Sequence, residues 1–395
     1  MQAVYLSYFT LTTCLGQGRD ANWKAIVQQR TGLQPCKFET AELPTFVGQV
    51  DGVELEAMPP RLADHLCRNN QLAQLALQQD GFSKAVEEAI ESFGRDRIGV
   101  FLGTSTSGIL STEIAYRHRD GKTGALPNDF HYQHTHNTFS VSGFVRDYFE
   151  LEGPAVAVSS ACSSSAKVFG NAARMMACGL IDAAIVGGVD SLCLTTLYGF
   201  NSLELLSDQR CQPFGAARNG ISISEAAGFA LLTLEKPTLG SAVAITGVGE
   251  SSDAHHMSSP HPEGAGALAS MQQALDMAGL ATNQIDYINL HGTATRSNDA
   301  AEGLAVSTLF GAELPCSSTK GHTGHALGAA GIVEVLFCAM AIKNGLLPAG
   351  INTQEVDASL KVNYLLDNQV SAPRAIISNS FGFGGSNCSL LLERK

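Results

Sequence analysis

Short apolar runs alternate with longer alanine-rich segments along this chain, and this alternation constrains its fold more than any other feature. Residues 98–102 and 155–158 have the composition of buried strands. The small and apolar residues 163–178 are typical of a helix, and residues 183–186 form a third strand-like run. This strand–helix–strand order predicts βαβ units built around a largely parallel sheet.

The same alternation returns in the second half of the chain. The pattern predicts strands at 229–234, 243–248 and 285–290, helices at 266–278, 299–310 and 328–343, and a hairpin with arms at 375–378 and 389–392. We therefore expect an α/β fold made of two similar halves that share one core, the first covering residues 1–237 and the second residues 238–395. The boundary between them is predicted to fall in the segment 237–240.

Composition and charge narrow the possible function classes. Hydrophobic residues make up 45% of the 395 residues and charged residues only 16%, so much of the chain is expected to be buried, including a subunit interface. The net charge of −12 argues against nucleic-acid binding, which needs a basic surface. The N-terminus lacks a basic segment followed by an apolar run, and we find no stretch of about 18 uncharged apolar residues. We predict a cytoplasmic protein with no membrane span.

One cysteine stands apart from the other nine. The ten cysteines include no Cys-x-x-Cys pair, which argues against a zinc site or a disulfide framework. Cys162, however, lies in the run Ser-Ser-Ala-Cys-Ser-Ser-Ser, between a predicted strand and a predicted helix. A helix N-terminus stabilises a thiolate, and its free N–H groups can bind an oxyanion. The position predicts a nucleophile; the alternative is a buried structural cysteine whose serine neighbours cap the helix.

Two histidines occupy positions that favour catalysis. His291 begins His-Gly-Thr-Ala-Thr at the end of an apolar strand, where catalytic residues of α/β sheets collect. His325 ends Ser-Thr-Lys-Gly-His-Thr-Gly-His, just before a helix of small residues, so its imidazole can face a cleft. Taken singly, each is more often a satisfied core or surface residue. The spacing of His131, His134 and His136 could suggest a metal site, but we predict pocket or interface lining and no metal.

Four motifs follow one another in the order Ala-Cys-Ser-Ser around Cys162, His-Gly-Thr-Ala-Thr from His291, Ser-Thr-Lys-Gly-His-Thr-Gly-His with Lys320 and His325, and Asn-Ser-Phe-Gly-Phe-Gly-Gly-Ser-Asn at 379–387. Together they resemble the elongating β-ketoacyl-carrier-protein synthases of fatty acid and polyketide synthesis, from residue 98 to the C-terminus. The resemblance implies a thiolase-like αβαβα five-layer sandwich of two similar halves, normally dimeric.

The resemblance also implies a reaction and the residues that perform it. An acyl chain would pass from the phosphopantetheine arm of an acyl carrier protein to Cys162, and a malonyl thioester would lose carbon dioxide and attack it, with no bound cofactor or metal. The implied catalytic residues are Cys162, His291, His325 and Lys320. The N–H groups of Cys162 and Phe381 would form an oxyanion hole, and the substrate would be bound by Thr293, Thr295, Phe381, Gly382 and Phe383. Glu302 would support the site as the ion-pair partner of Lys320. Phe381 would also be the gate of the pocket.

Some residues depart from the family pattern. Gly215 and Asn219 stand where the family has acids, and Ser224 and Ala227 where it has glycines. These departures favour a specialised pathway, such as polyketide or polyene synthesis, over housekeeping fatty acid synthesis.

The implied partner is an acidic carrier protein, so this acidic chain needs a local basic patch for docking. Arg61, Arg68 and Lys122 are candidates. The chain could form a homodimer or be the active half of a heterodimer with a chain-length factor.

Two other functions are also compatible with the sequence. A thiolase that acts on coenzyme A thioesters would use a second cysteine near the C-terminus, and Cys388 lies there. A chain-length factor would be a non-catalytic partner subunit, although the presence of Cys162 and both histidines argues against that reading.

Overall fold

Ten main strands form the central sheets of the molecule. The computed structural model describes residues 2–237 and 242–395. In chain order the strands are β1 Val4–Thr13, β2 Ile98–Gly103, β3 Ala155–Val158, β4 Ala183–Asp190, β5 Ala226–Thr233, β6 Val243–Ser252, β7 Tyr287–Asn289, β8 Pro315–Ser317, β9 Ala375–Gly382 and β10 Ser386–Arg394. Shorter strands lie at Gly16–Gln17, Gln34–Pro35, Phe46–Gly48, Ile223–Ser224, Leu346–Leu347, Asn363–Tyr364 and Gln369–Val370.

The helices connect these strands and cover both sheets. They are α1 Arg19–Val27, α2 Arg68–Leu77, α3 Phe82–Phe93, α4 Ile109–Arg117, α5 Ser140–Tyr148, α6 Ser164–Ala177, α7 Leu194–Ser202, α8 Ala265–Ala278, α9 Arg296–Phe310, α10 Lys320–Thr323 and α11 Ala330–Asn344. Short 3₁₀ turns occur at Val53–Leu55, Pro60–His65, Arg95–Arg97, Thr282–Gln284, Leu327–Ala329 and Phe383–Gly385.

Both halves have the same sheet topology. The strand order is β1-β5-β4-β2-β3 in the first half and β6-β10-β9-β7-β8 in the second. The last three strands of each order are parallel to one another, and the first two are antiparallel to their neighbours. The sheets meet where Val4 and Tyr5 pair with Ile245 and Ala244. This repeat confirms the prediction of two similar halves built from βαβ units.

Helices α6 and α11 fill the layer between the two sheets. Small residues let them pack closely, since a Cβ on Gly331 would lie 2.7 Å from the backbone nitrogen of Ala166. The segment Leu327–Asn344 is long and apolar enough to cross a membrane, yet 89% of its residues are buried inside the protein. Its apolar surface therefore packs against the two sheets.

Two outer helical layers complete the sandwich. Helices α2, α3 and α5 cover the outer face of the first sheet, and α8 and α9 cover that of the second. In α3 the buried residues Phe82, Val86 and Ala89 follow the spacing of an amphipathic helix, which explains why this segment packs on a sheet with one face only. The layers are thus α, β, α, β and α.

Most of the predicted strands and helices are present in the structure, and most of them are longer than predicted. The strand predicted at 183–186 is the first half of β4, whereas the strand predicted at 285–290 narrows to the three residues of β7. Most of the segment predicted to divide the halves lies outside the described residues, because the description stops at 237 and resumes at 242. The division at 237/238 stays a prediction.

The topology brings the carboxyl ends of four strands to one region. Cys162 follows β3 in the first sheet, while His291, Lys320 and Phe383 follow β7, β8 and β9 in the second. The carboxyl ends of parallel strands share an edge of their sheet, which is where α/β proteins form their sites. Because the two sheets are stacked, these edges face each other across the ends of α6 and α11.

Candidate active site

A strained turn presents Cys162 at the start of α6. Ala161 has a φ of 52°, a left-handed conformation that costs energy for a residue with a side chain. Serine hydroxyls stabilise this turn, since Ser164 Oγ accepts from Ser160 N at 2.9 Å and Ser163 Oγ donates to Ser160 O at 2.9 Å. The serines therefore shape the turn, and Cys162 remains 6% exposed at the bottom of a cleft.

His325 lies directly opposite the cysteine. Its backbone is fixed on both sides, because its N–H donates to Ser222 O and its carbonyl accepts from Ser224 N. Its Nε2 lies 3.0 Å from the Sγ of Cys162, within hydrogen-bonding distance. Its Nδ1 is buried and has no hydrogen-bond partner among the described residues. The reactive nitrogen of His325 is thus the one that faces the thiol.

His291 completes a cluster with these two residues. Its ring lies edge-on to that of His325, with centroids 5.3 Å apart. One ligand-type atom each of Cys162, His291 and His325 lies within 4.8 Å of the others. Such a set could also bind a thiophilic metal, although an ion there would have to replace the thiol–imidazole contact.

Glu302 supports His291 and does not pair with Lys320 as predicted. Its two carboxylate oxygens accept the backbone N–H groups of His291 and Gly292, each at 2.8 Å. Asn379 Nδ2 also donates to Glu302, at 3.1 Å. The predicted Lys320–Glu302 ion pair is therefore wrong: Glu302 faces the backbone after β7, and its hydrogen-bonding capacity is used there.

The partner of Lys320 is Glu334, on the second turn of α11. The ammonium group contacts the Glu334 carboxylate and the carbonyl of His291. It also lies 3.3 Å from His291 Nδ1. Because an ammonium group can only donate, Nδ1 of His291 must accept, and the ring proton lies on Nε2. Lys320 thereby sets the tautomer of His291.

Burial dominates the electrostatics of the cluster. It raises the pKa of the Cys162 thiol to about 11, against the opposing effects of Lys320 and the Phe383 N–H. Burial, and then the charge of Lys320, holds the pKa values of His291 and His325 well below the usual range. At neutral pH the site therefore contains a thiol and two uncharged imidazoles, each able to donate one N–H.

The Gly-rich loop after β9 places Phe383, and not Phe381, at the nucleophile. The backbone N–H of Phe383 is near enough to the Cys162 thiol to lower its pKa, and a Cβ on Gly382 would lie 3.2 Å from the Cys162 nitrogen. Phe381 instead lies in β9 in register with Asn387, and its ring packs against His291 at 5.9 Å. The structure thus contradicts the assignment of the second oxyanion donor to Phe381.

The gate assignment changes for the same reason. Phe381 is confined by strand pairing, whereas Phe383 is in the loop Phe383–Gly385 and its ring packs against Phe200 at 5.6 Å. The backbone of a paired strand residue cannot move without breaking the sheet, whereas the loop that carries Phe383 has no strand partner among the described residues, so Phe383 is the better candidate for a gate.

A narrow cleft leads from the surface to the cluster. Its lining includes the predicted residues Cys162, His291, His325, Thr293, Thr295, Phe381, Gly382 and Phe383. The hydroxyls of Thr293 and Thr295 lie 2.9 Å apart on one wall. Cys388 is fully buried in β10, in register with Ser380, and does not line this cleft. The second cysteine that a thiolase would need is therefore not in place.

Two other groups of predicted residues lie away from the cleft. His136 bonds Thr112, His134 packs against His65 and His131 faces Asp64, so these three histidines do not converge on a common point. Arg68 is buried and paired with Glu54 and Glu225. Its predicted role in carrier docking is wrong, since its charge does not reach the surface.

Asp190, at the end of β4, is a support that the sequence did not indicate. Its buried carboxylate accepts the N–H groups of Ser105 and Thr106 at 2.7 Å and that of Ala329 at 3.0 Å. It thereby ties the loop after β2 to the segment that follows His325. A lone aspartate in an apolar run carries no sequence signal for such a role.

Known proteins are similar to this chain in sequence and in fold. The family description "Beta-ketoacyl synthase, N-terminal domain" matches residues 9–237, and "Beta-ketoacyl synthase, C-terminal domain" matches residues 242–354. The chain belongs to the β-ketoacyl synthase family. This membership confirms the resemblance inferred from the four motifs, and it makes the protein an acyltransferase.

Relatives of this β-ketoacyl synthase cover its whole length. It is 32% identical to the 3-oxoacyl-[acyl-carrier-protein] synthase 2 of Rhizobium meliloti, over 100% of this chain and 99% of the relative. It is 31% identical to nodulation protein E of the same species, over 96% of each chain. The chain-wide match argues against a thiolase.

Solved structures confirm the thiolase-like fold. A ketosynthase from Xenorhabdus doucetiae, solved in complex with its chain length factor, shares 39% identity with a TM-score of 0.90, over 100% of this chain and 98% of that one. A β-ketoacyl synthase from Burkholderia phymatum shares 27% identity with a TM-score of 0.89, over 100% of both chains.

Proposed function

We propose that this β-ketoacyl synthase joins an acyl chain, held on Cys162, to a malonyl unit carried by an acyl carrier protein, releasing carbon dioxide and a β-ketoacyl-carrier product. The observation that carries this proposal is the 3.0 Å contact between Cys162 Sγ and His325 Nε2, with His291 beside them in a buried cleft. The thiolase alternative is not favoured, because Cys388 is remote from the cleft.

The first half-reaction is transfer of the acyl group to the cysteine. Cys162 Sγ attacks the carrier thioester, a new thioester forms on Sγ, and the bond to the carrier sulfur breaks. The thiol proton passes to the departing carrier thiolate, so that neither sulfur is left charged. The N–H groups of Cys162 and Phe383 are positioned to stabilise the negatively charged oxygen that forms on the way.

The second half-reaction is decarboxylation and condensation. The malonyl carboxylate leaves as carbon dioxide, and its bonding electrons form an enolate on the thioester. Neutral His291 and His325 donate their Nε2–H groups to the enolate oxygen, where negative charge develops. The enolate carbon attacks the acyl carbon on Cys162, the bond to Sγ breaks, and the Sγ thiolate takes up a proton from solvent. Lys320 favours this step by fixing the His291 proton on Nε2.

The same reasoning extends to partners and location. Thr293 and Thr295 would bind the pantetheine part of the carrier arm, and no bound cofactor or metal is required. We propose a dimer, either of two identical chains or with a chain-length factor, because the relative from Xenorhabdus doucetiae is a ketosynthase bound to such a factor. We place the enzyme in the cytoplasm, and in polyketide or polyene synthesis.

Intact-protein mass spectrometry with a series of acyl-carrier proteins tests the proposal. We expect a mass gain of one acyl group on the enzyme, and a β-ketoacyl-carrier product once malonyl-carrier is added. The test includes a co-expressed chain-length factor, so that a missing subunit does not hide the activity. Absence of both acylation and product under these conditions would refute the proposed reaction.

His325→Ala should separate the two half-reactions. Loss of one donor to a developing oxyanion costs about 10²–10³-fold in rate, so malonyl decarboxylation should fall by that factor. Acylation of Cys162 should slow but remain measurable, because both backbone N–H donors persist. Carbon dioxide release and intact mass report the two steps, and His118→Ala, an exposed histidine, is the control. Undiminished decarboxylation would exclude His325 as an enolate donor.

A further inference from the structure

One wall of the cleft runs from the catalytic cluster to the surface. This wall is formed by residues that follow one another in the chain, His291, Thr293, Thr295, Ser297 and Asn298. The first two are buried, Thr295 is half-buried and Ser297 is exposed.

Arg296 lies at the outer end of this wall, between Thr295 and Ser297. Its side chain is exposed, and no hydrogen bond or ion pair engages it within residues 2–237 and 242–395. The acid nearest to it in α9, Asp299, is fully buried and accepts the N–H of Phe214 at 2.8 Å. Arg296 is therefore an available positive charge on a chain whose net charge is −12.

Other arginines that could attract an acidic carrier are already engaged. Arg61 donates to the carbonyls of Asp147 and Tyr148. Arg210 donates to the carbonyl of Leu33, and Arg218 is buried beside Asp357. Arg296 thus differs from them, because within the described residues its guanidinium is unpaired, and its chain neighbours Thr295 and Ser297 both line the cleft.

We propose that Arg296 binds the phosphate that links the pantetheine arm to the acyl carrier protein. A planar guanidinium matches the geometry of a phosphate, with which it forms paired charge-assisted hydrogen bonds. The inference rests on the proposed function, since it assumes that the arm enters along this wall with its thioester at Cys162. Thr293 and Thr295 then face the amide-bearing part of the arm, and Arg296 faces its outer end.

Three thioester substrates with the same acyl group test the assignment: acyl-carrier protein, acyl-phosphopantetheine and acyl-pantetheine. In Arg296→Ala, kcat/KM for acylation of Cys162 should fall about tenfold for the two substrates that carry the phosphate. It should stay unchanged for acyl-pantetheine, and kcat at saturation should stay unchanged for all three. Arg296→Lys should recover part of the loss, because it keeps the charge but not the paired geometry. Arg374→Ala is the matched control, because Arg374 is also exposed and lies just before the start of β9, at the end of that strand away from the cleft.

Each other outcome has a distinct meaning. A loss with acyl-carrier protein alone would overturn the phosphate assignment, because Arg296 would then contact the carrier protein itself. An equal loss with all three substrates, or no loss with any, would also overturn it. Failure of the wild-type enzyme to be acylated by any of them would instead refute the proposed function.

Discussion

Cys162→Ala is expected to abolish condensation while malonyl decarboxylation continues. Without Sγ no acyl-enzyme can form, so product formation should fall by about 10⁴-fold or more, as for other removed nucleophiles. The donors of His291 and His325 remain, so carbon dioxide should still be released from malonyl-carrier. Intact mass, product formation and carbon dioxide release measured on one preparation distinguish these steps.

The fold should tolerate this change. Cys162 lines a cleft and is not packed on all sides, so the free energy of unfolding should change by about 1 kcal/mol. Cys388→Ala is the matched control, since that cysteine is fully buried and lies outside the cleft. It should lower the melting temperature and leave acylation intact. Acyl transfer by Cys162→Ala, or its loss in Cys388→Ala with the protein still folded, would contradict the assignment of the nucleophile.

The parts of the site that sequence could predict are local. A cysteine between an apolar strand and a helix of small residues fixes both the turn and the chemistry within seven residues. His291 likewise follows directly from the end of a strand. Such features depend on backbone geometry that the neighbouring residues impose, so the structure places these side chains in the cleft as expected.

The parts that sequence could not predict depend on contacts between distant segments. Glu302 and Glu334 lie 18 and 14 positions from Lys320, and only the packing of α11 between the sheets brings Glu334 to the ammonium group. Phe381 and Phe383 occur in one motif, and which of them reaches Cys162 depends on where β9 ends. Neither choice is encoded in local spacing.

The fold shows the same difference between features that local sequence predicts and features that depend on distant contacts. The parallel strands other than β8 and the central helices α6 and α11 are rich in small and apolar residues, and the sequence predicted them, whereas β8 was not predicted. β1 was not predicted, because threonines occupy three of its last four positions and dilute its apolar pattern. The structure buries all three of these threonines, with Thr10 and Thr13 donating to Ala76 O and Asn22 Oδ1.

Lys320→Met is the second change with a large expected effect. It leaves the carboxylate of Glu334 buried without its counter-charge, which should lower the free energy of unfolding by about 3 kcal/mol. It also removes the donor that fixes the proton of His291 on Nε2. Decarboxylation should therefore fall by about 10²-fold or more, as when a catalytic histidine loses the group that orients it.

The pH dependence separates this electrostatic role from a structural one. The charge of Lys320 helps to lower the pKa values of His291 and His325, so its removal should raise both toward the usual histidine range. Because burial still lowers both pKa values in the variant, protonation should remove the neutral imidazoles and slow the variant as pH falls through the mildly acidic range. The wild-type enzyme, whose histidines stay uncharged, should show no such decline from this cause.

A paired variant distinguishes stability from catalysis. Lys320→Met with Glu334→Leu replaces the buried ion pair by apolar side chains of similar size, which should restore most of the lost stability. It should not restore decarboxylation, because the donor to His291 Nδ1 is still missing. Recovery of both properties together would mean that Lys320 acts only through the fold. Recovery of stability alone, with the altered pH profile retained, would place Lys320 in control of the charge and tautomer of the histidines.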